Sequence, residues 1–418
     1  MPIEVLILLS QALHDPSSGA ARSLHLTGLL LAQARDAQGN AQFRIRFVGT
    51  TGTDDGGLTP NGETFLRLAG LTPVVVQRPF GRVLEYRDGD IECTLLDTSG
   101  QTKTLSQEQN VALDCLVNEL TADRVPDIVY TYGGRREENA RRMRLHDRGA
   151  VVLFGLNNWA YLHAAKDFFS PPWGTDGVIV ASEYLRRCYQ SSGFVLPACT
   201  AAFPTPMTME TVMATKRTTP GAVTFVNPTL DKGVMVFVRI ADELARRRPD
   251  IPLLVVESRG RASALWEAAR FAAVDLTRHP NLRVIPSLPL PRDVFALTRI
   301  LLMPSVWDEP SGRLIAEAMF NGVPPIVSDR GGMPDECRGA GFVIALPRHI
   351  QPENTLPLTA IEAEPWIETI VRLWDSPEAY EAASIAARQA TQACRPEIVQ
   401  VQCEEFFHRA AGLRRKIT

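Results

Sequence analysis

The sequence predicts an α/β protein with two doubly wound parallel sheets and a helical C-terminus. Short apolar runs alternate with longer helical patterns in two separate sets, and residues 196–221, rich in Pro, Thr and small side chains, separate the sets. From about residue 363 onward the patterns are helical alone. Strands that read as continuous apolar runs are buried on both faces, which is typical of parallel sheets covered by helices.

The first set begins with Ile3–Leu9, which we interpret as a buried strand. A signal peptide is not expected, because this run is short, lacks a basic flank and contains Glu4. Strands and helices alternate after it. The strand-like runs are 4–10, 43–49, 127–134, 150–156 and 177–183, and the helical patterns are 23–39 and 104–124.

The second set follows residues 196–221, which we interpret as a linker. Its strand-like runs are 222–227, 251–258, 282–287, 299–305 and 324–329, with a helical pattern over 232–250. We therefore predict a first domain over 1–203, a second over 204–385, and C-terminal helices over 386–418 that pack back on the first. Ligands of such sheets bind at the carboxyl ends of the strands, so a cleft between facing halves is the expected site.

Composition limits the classes of function. The chain has 418 residues, of which 45% are hydrophobic and 22% charged, and a formal net charge of −3, so charge gives no case for a nucleic-acid partner. The seven cysteines form no C-x-x-C pair, which argues against a disulfide framework and a zinc site and favours a reduced, cytoplasmic compartment. No apolar run is long enough to predict a membrane span.

The segment 304–332, PSVWDEPSGRLIAEAMFNGVPPIVSDRGG, carries the strongest chemical signal. Ser311 is placed to cap a helix that ends at Gly322, which leaves the backbone N–H groups of Gly312, Arg313 and Leu314 free to bind a phosphate or diphosphate. Two carboxylates, Glu309 and Glu317, flank this anion position.

A carboxylate accepts two hydrogen bonds from a vicinal diol, so this arrangement suits a nucleotide-sugar. The alternative is that both glutamates are ordinary exposed charges, which is the usual state of such residues.

This segment resembles the E-x7-E signature of retaining GT-B glycosyltransferases, of the family 4-like type. Other segments resemble family elements in the same order: 17–23 the first glycine-bearing loop, 177–187 a segment late in the first domain, 223–233 the start of the donor domain, and 328–336 the Gly-Gly element. The resemblance covers most of the chain and implies two Rossmann-like domains, with 1–203 binding the acceptor and 204–385 the nucleotide-sugar.

The resemblance implies a role for each matching residue. Glu309 would contact donor-sugar hydroxyls, Lys232 would neutralise the diphosphate, and Glu317 would hold the ribose. The remaining donor contacts would come from Ser311, the 312–314 backbone, Gly331, Gly332, Gly19 and Ala20. The acceptor would be a hydroxyl of a polysaccharide, glycolipid or small metabolite. The nucleotide-sugar would be a co-substrate, with no cofactor and no metal, because protein charges stabilise the leaving diphosphate.

The chain departs from the family pattern at several positions. Asn227 stands where an arginine is common, so Arg259 and Arg313 are the candidates to supply the missing charge. Asn157 and Asn158 stand where relatives carry a histidine near the acceptor, and an amide cannot act as a general base. In retaining members a leaving phosphate oxygen is thought to take up the acceptor proton. A nucleotide-sugar hydrolase or epimerase on the same fold, and an inactive binding protein, stay open as alternatives.

Three further features have two interpretations each. The run 135–148 holds six arginines against three acids; it is either a solvated helix face or a contact with anionic lipid at the inner face of the membrane. His14 and His25 near the first-domain loop are expected to be structural or exposed rather than catalytic. The rings of Trp159, Tyr161 and Trp173 either stack on an acceptor sugar or belong to the core.

Overall fold

The computed structural model describes the chain except for residues 16–17, 54–61, 99–103, 170–173, 205, 217–218, 220, 354–355 and 414–418. The chain forms two compact units. Unit 1 contains Met1–Pro206 and Pro396–Thr418, and unit 2 contains Met207–Arg395. The boundaries between the units thus fall at 206/207 and 395/396, whereas the sequence analysis placed the domain boundaries at 203/204 and 385/386. Among the described residues no helix combines the length and the apolar character needed to cross a bilayer.

Unit 1 is built on a nine-stranded sheet in the order β3-β4-β5-β2-β1-β6-β7-β8-β9. Its strands are β1 Ile3–Leu8, β2 Phe43–Thr50, β3 Val74–Arg78, β4 Gly81–Asp88, β5 Ile91–Leu96, β6 Ile128–Thr131, β7 Val151–Leu156, β8 Gly177–Val180 and β9 Cys199–Ala202. From β5 to β9 the neighbouring strands are parallel, whereas β4 is antiparallel to both of its neighbours. A β-meander thus extends one edge of a doubly wound sheet.

The helices of unit 1 are α1 Gly19–Gln33, α2 Gly62–Leu68, α3 Gln107–Leu120, α4 Arg136–Asp147 and α5 Glu183–Ser191, together with the last helix of the chain, α14 Pro396–Ala411. Helix α14 buries Phe406 and Phe407 in the core of this unit, where Phe407 meets Phe43 and Tyr130 edge to face. Its packing explains why a distant C-terminal segment belongs to the first unit.

Unit 2 is built on a six-stranded, all-parallel sheet in the order β12-β11-β10-β13-β14-β15. The strands are β10 Ala222–Val226, β11 Leu253–Val256, β12 Leu282–Ile285, β13 Thr298–Met303, β14 Pro325–Ser328 and β15 Phe342–Ile344. The helices are α6 Met209–Val212, α7 Val234–Arg247, α8 Ala262–Phe271, α9 Pro291–Leu297, α10 Arg313–Phe320, α11 Met333–Glu336, α12 Ala360–Asp375 and α13 Pro377–Ala390. In sequence terms the strand order is 3-2-1-4-5-6, as in dinucleotide-binding sheets.

The prediction of two doubly wound α/β halves with helices at the C-terminus is therefore confirmed. The prediction of a linker over 196–221 is wrong for 199–202, because β9 lies there and pairs with β8. Strands β3 to β5 were not predicted. Several of their side chains alternate between buried and partly exposed positions, as expected of a sheet with one wet face, instead of forming a continuous apolar run.

Candidate functional site

The strand order of unit 2 places its site between β10 and β13. The chain reverses its winding direction there, and ligands of doubly wound sheets bind at the carboxyl ends of the strands at that point. The loop after β10 covers residues 227–233, and the loop after β13 covers 304–312. Lys232 belongs to the first loop and Glu309 to the second. The topology thus brings together two residues that are 77 positions apart.

The two loops are joined through the backbone carbonyl of Asp231. This oxygen accepts hydrogen bonds from the N–H groups of Val306 at 3.0 Å and Trp307 at 3.1 Å. The hydroxyl of Ser305 lies 2.9 Å from the same oxygen. The two backbone donors fix the loops in register with each other, and the single hydrogen of the Ser305 hydroxyl can add to them or serve another acceptor. The sequence analysis missed Asp231 and Ser305, although both adjoin a predicted strand end or site residue.

Lys232 and Glu309 form the central charged pair of the site. Lys232 Nζ donates to Glu309 Oε1 at 2.5 Å, and Ser305 Oγ lies 3.0 Å from the same oxygen. Glu309 is 8% exposed, so its charge is held mostly away from water by these partners. An ammonium has three donors, so Lys232 can bind an anion as well as Glu309. The pair can therefore offer positive charge to a phosphate and a carboxylate to hydroxyl groups.

Helix α10 begins beside this pair, but one residue later than predicted. The prediction that Ser311 caps the helix is wrong: the N-cap is Gly312, which adopts a left-handed conformation with φ +107° and makes no side-chain cap bond. The N–H of Ile315 already donates to the Gly312 carbonyl at 2.7 Å. Arg313 and Leu314 therefore form the first turn of α10, and the N-terminal end of a helix is the end that favours negative charge. The predicted stop at Gly322 is confirmed, because the helix ends at Phe320 and Gly322 has φ +62°.

Glu317 lies one turn inside α10 and is 3% exposed. Arg313 Nε lies 3.3 Å from Glu317 Oε1, one helical turn away. The interpretation of Glu317 as an exposed surface charge is therefore wrong, and so is the same interpretation of Glu309. A buried carboxylate needs polar partners, which makes a site role more plausible than a solubility role.

Gly331 and Gly332 hold the backbone of Glu309 in place. The N–H of Gly331 donates to Asp308 Oδ1 at 3.1 Å, and the N–H of Gly332 donates to the Glu309 carbonyl at 2.7 Å. A Cβ on Gly331, where φ is +62°, would lie only 2.3 Å from the Glu309 nitrogen. Both N–H groups are thus used within the protein, so the structure gives this motif a positioning role.

The structure gives Asn227, which stands where an arginine was expected, a role in the backbone of this loop. It has φ +65°, a left-handed conformation that Asn tolerates better than most residues. Its Oδ1 accepts from the N–H of Gly260 at 2.6 Å, which joins the loops after β10 and β11. Of the two candidate replacements for the missing charge, Arg313 already contacts Glu317, whereas Arg259 is exposed.

Glu336 is a titratable group that the sequence analysis did not identify. It ends α11, which follows Gly332 directly, and its side chain is 14% exposed. Burial raises the pKa of the Glu336 carboxyl to about 7, and Arg338, 3.6 Å away, opposes that rise. The carboxyl of Glu336 is therefore a buried titratable group in the helix that follows the Gly-Gly segment.

In unit 1 the predicted donor-side residues Gly19 and Ala20 open helix α1. Ser18 caps the helix, and its side chain accepts from the N–H of Ala21 at 3.3 Å. Gly19 is exposed, with open space around an added Cβ, whereas Ala20 is buried. Ala20 is therefore packed inside unit 1, whereas Gly19 is open to solvent.

The predicted acceptor residues Asn157 and Asn158 follow β7. Asn158 is engaged within unit 1: its Nδ2 donates to the Tyr132 hydroxyl at 3.1 Å, and its carbonyl accepts from the Tyr189 hydroxyl at 2.9 Å. Asn157 Nδ2 is buried and has no hydrogen-bond partner among the described residues. Asn157 is thus the better placed of the two to bind another molecule.

The aromatic residues after β7 belong to the packing of unit 1. Tyr161 is buried and stacks on Phe168 at 5.4 Å between ring centroids, and Trp159 stacks on Tyr189 at 6.4 Å. Trp173 lies outside the described residues. The core interpretation therefore holds for Tyr161, and Trp159 packs on the same cluster.

A cavity of about 330 Å³ lies at the carboxyl ends of β1 and β6, where the winding of the unit 1 sheet reverses. Its lining includes Gln11, Tyr132, Arg135 and Glu138. Gln11 is 3% exposed, and its Nε2 has no hydrogen-bond partner among the described residues. A buried donor at a cavity wall is a candidate for hydrogen bonding to a ligand. The sequence analysis missed this site because its lining comes from several separate segments of the chain that share no motif.

The arginine run 135–148 is not a free basic face. Arg141 and Arg142 are buried on α4. Arg141 Nε donates to Asp114 Oδ1 at 2.5 Å, and the Arg142 guanidinium lies 5.0 Å from the ring centre of Phe154. Both interpretations offered for this run, solvation and lipid contact, assumed exposed arginines and are wrong for these two residues.

Comparison with known proteins agrees with this architecture. Residues 221–355 match the family model described as Glycosyl transferases group 1, and the match includes all six strands of unit 2. No curated protein is similar enough in sequence to match.

Solved structures match nearly the whole chain. A glycosyltransferase from Rickettsia africae ESF-5 has a TM-score of 0.69 at 12% identity, covering 98% of each chain. Sucrose-phosphate synthase from Thermosynechococcus elongatus has a TM-score of 0.65 at 12% identity, covering 97% of this chain and 98% of that one. Anabaena Alr3699/HepE, solved in complex with UDP-glucose, has a TM-score of 0.64 at 15% identity, and the match covers 97% of this chain and 100% of that one. The chain therefore has the GT-B fold of glycosyltransferases, and its second unit contains a segment that matches the group 1 glycosyl transferases.

Proposed function

We propose that this protein is a glycosyltransferase that moves a sugar from a nucleotide-sugar to a hydroxyl acceptor with retention of anomeric configuration. The observation that carries the proposal is the Lys232–Glu309 pair at the switch point of the unit 2 sheet, 2.5 Å apart and beside the start of α10. Positive charge, helix N–H donors and a carboxylate meet there, as a sugar diphosphate requires.

The contact between Lys232 and Glu309 suggests how the donor is bound. In this ion pair each residue compensates the charge of the other. A diphosphate beside α10 attracts the Lys232 ammonium, while the Glu309 carboxylate turns to accept hydrogen bonds from sugar hydroxyls. Glu317 accepts from the ribose diol. Binding thus replaces one internal ion pair by charge-assisted contacts on both sides of the donor.

The transfer step breaks the bond between the anomeric carbon and the diphosphate oxygen. A bond from the acceptor oxygen to the same carbon forms on the same face of the sugar. The acceptor proton goes to the leaving phosphate oxygen, so no protein base is consumed. Lys232 and the N–H groups of α10 stabilise the negative charge that develops on the leaving group.

The transfer step itself requires no metal under this proposal, because protein groups supply the positive charge. The expected result is that the donor KM and kcat are the same in EDTA as in Mg²⁺ or Mn²⁺. A donor KM that falls at least about tenfold on adding either ion would contradict this part of the proposal.

The acceptor is a hydroxyl-bearing molecule, and we place it in unit 1. The cavity lined by Gln11 and Tyr132 contains the Gln11 amide donor, and the Asn157 side chain supplies a second amide donor; both are buried and lack a partner among the described residues. Both are amide N–H groups, which bind hydroxyl or carbonyl oxygens. The class of acceptor, whether polysaccharide, glycolipid or small metabolite, follows from the experiment below.

Two solved relatives guide the choice of donor. Anabaena Alr3699/HepE was solved with UDP-glucose, and the catalytic domain of starch synthase IV from Arabidopsis thaliana was solved bound to ADP and acarbose, the latter with a TM-score of 0.63. We therefore propose UDP- and ADP-sugars as the first donors to test.

A thermal-shift screen against nucleoside diphosphates and their sugars selects the donor, since a ligand that binds only the native state raises the melting temperature. NMR of the product formed with an acceptor panel then shows the anomeric configuration. An inverted product would contradict retention. Release of the diphosphate and sugar without acceptor dependence would indicate a hydrolase, and binding without any turnover would indicate a binding protein.

A further inference from the structure

Three side chains in unit 1 that do not line the unit 1 cavity bring their ligand atoms together. His25 Nε2 lies 2.5 Å from Asp88 Oδ2, and His14 Nε2 lies 3.6 Å from the same oxygen. The three atoms lie within 4.8 Å of one another. The two imidazole rings meet edge to face with their centroids 4.5 Å apart. This set, His14, His25 and Asp88, is called the His-His-Asp cluster below.

The cluster joins three separate segments of unit 1. His14 lies in the loop between β1 and α1, His25 lies in the second turn of α1, and Asp88 is the last residue of β4. Their side chains are 12%, 16% and 20% exposed, in that order. The site is therefore mostly enclosed, and solvent still reaches it.

Internal hydrogen bonds do not account for the cluster fully. His25 and Asp88 share a hydrogen bond, but His14 Nε2 is buried and makes no hydrogen bond to the described residues. An unpaired buried ring nitrogen costs free energy, so a fourth group that binds the ligand atoms of all three side chains would remove that cost.

We propose that His14, His25 and Asp88 bind one divalent transition-metal ion of the Zn²⁺ type. Two imidazole nitrogens and one carboxylate oxygen form a three-ligand set that such ions accept, with a water completing the tetrahedron. The absence of a C-x-x-C motif excludes only a cysteine-based site, and the sequence analysis expected the two histidines to be structural or exposed. The cluster gives both a binding role.

Two of the three ligand separations can be compared with those that a tetrahedral ion needs. Zn–N and Zn–O bonds of about 2.0–2.2 Å place neighbouring ligand atoms about 3.3–3.6 Å apart. The His14–Asp88 separation of 3.6 Å already fits. The 2.5 Å contact between His25 and Asp88 must open by about 0.8–1.1 Å as the ion displaces the proton of that hydrogen bond, which a rotation of the carboxylate allows.

The consequence of binding is a cross-link. An ion held by this cluster ties the loop that leads into α1 to the body of α1 and to the tip of β4. The same loop contains Gln11 at the cavity wall, so metal binding stiffens that wall. The ion is not part of the transfer step.

The first test uses the metal-free full-length chain and Zn²⁺ alone. Isothermal titration calorimetry should give one site per chain, and His14→Ala, His25→Ala and Asp88→Asn should each weaken binding at least about tenfold. The matched control is His146→Gln. His146 Nε2 lies 3.3 Å from Asp176 Oδ1, but among the described residues this pair is not part of a group of three ligand atoms. The control should bind Zn²⁺ like the wild-type protein.

The second test needs no variant. Co²⁺ bound to the wild-type chain should give the visible bands of a four-coordinate nitrogen and oxygen site, without the sulfur charge-transfer bands that the exposed thiol of Cys115 would produce. No binding, a sulfur-ligand spectrum, or equal affinity in the wild-type protein and in folded His14→Ala and Asp88→Asn variants would overturn the proposal.

Discussion

Substitution of Gly331 by alanine tests whether the Gly-Gly segment positions Glu309. Gly331 has φ +62°, and an added Cβ would lie 2.3 Å from the Glu309 nitrogen and 2.4 Å from its carbonyl oxygen. Both contacts are with backbone, so no flexible side chain can move aside. The methyl group must therefore displace the peptide of Glu309 or the 330–332 turn.

The loss of unfolding free energy expected for Gly331→Ala has two parts. An L-residue in the left-handed region costs about 1–2 kcal/mol, and overpacking against fixed backbone adds about 1–3 kcal/mol. The Gly331→Ala variant should therefore lose about 2–5 kcal/mol of unfolding free energy. Gly339→Ala is the matched control: Gly339 has φ +77°, but nothing lies within 4 Å of an added Cβ. It should lose only the first part, about 1–2 kcal/mol.

Urea unfolding of both variants and steady-state kinetics with the selected donor measure the two effects. Because Glu309 moves, Gly331→Ala should lower kcat/KM for the donor at least about tenfold, whereas Gly339→Ala should leave it within about twofold. If both variants lose the same stability and keep the same kcat/KM, then Gly331 does not support Glu309 and the positioning role is wrong.

Three further predictions concern single residues. Glu317→Ala should weaken binding of the free nucleoside diphosphate by about 1–3 kcal/mol, whereas Glu309→Ala should weaken mainly the complete donor; calorimetry that shows equal losses with both ligands would contradict these roles. Glu336 has its folded pKa raised from 4.5 to about 7, so the unfolded state ionises first and native stability falls as pH rises between these values. The unfolding free energy of Glu336→Gln should therefore rise relative to that of the wild-type protein as pH increases from 4.5 to 7, by up to about 3 kcal/mol. Urea titrations of both proteins in which this difference does not change with pH would refute the prediction. Burial lowers the pKa of Arg142 to about 10, and its guanidinium packs on the ring of Phe154. Arg142→Met keeps an apolar side chain there and should change the unfolding free energy by less than about 1 kcal/mol, whereas Arg142→Ala should cost at least about 2 kcal/mol. Equal losses of the two variants in urea unfolding would contradict the packing role.

Periodicity predicted the parallel core of both units because a strand buried on both faces must be apolar throughout. The same rule failed for β4 and β5, because several of their side chains lie on a partly exposed face of the sheet. It also failed for β9, a four-residue edge strand within a stretch rich in Pro and Thr. Such short strands are defined by their neighbours in the sheet, which the local sequence does not contain.

The candidate site, like the fold, was predicted from the sequence only in part. Glu309 and Glu317 were predicted as site residues from residue type and spacing next to a strand end, whereas Lys232 was predicted only from the family resemblance. The cap was misplaced by one residue, since the left-handed conformation of Gly312 is set by the packing of the loop and not by the capping preference of Ser311.

The chain alone determined the α/β class, the two halves and the acidic and basic residues beside the α10 start. Only the tertiary structure decided that Lys232 meets Glu309, that two of six clustered arginines are buried, and that His14, His25 and Asp88 converge. The physical reason is that local sequence sets hydrophobic period and chemical type within a few residues. Contacts between residues 63 or 77 positions apart depend on strand order and loop closure, which follow from the packing of the whole unit.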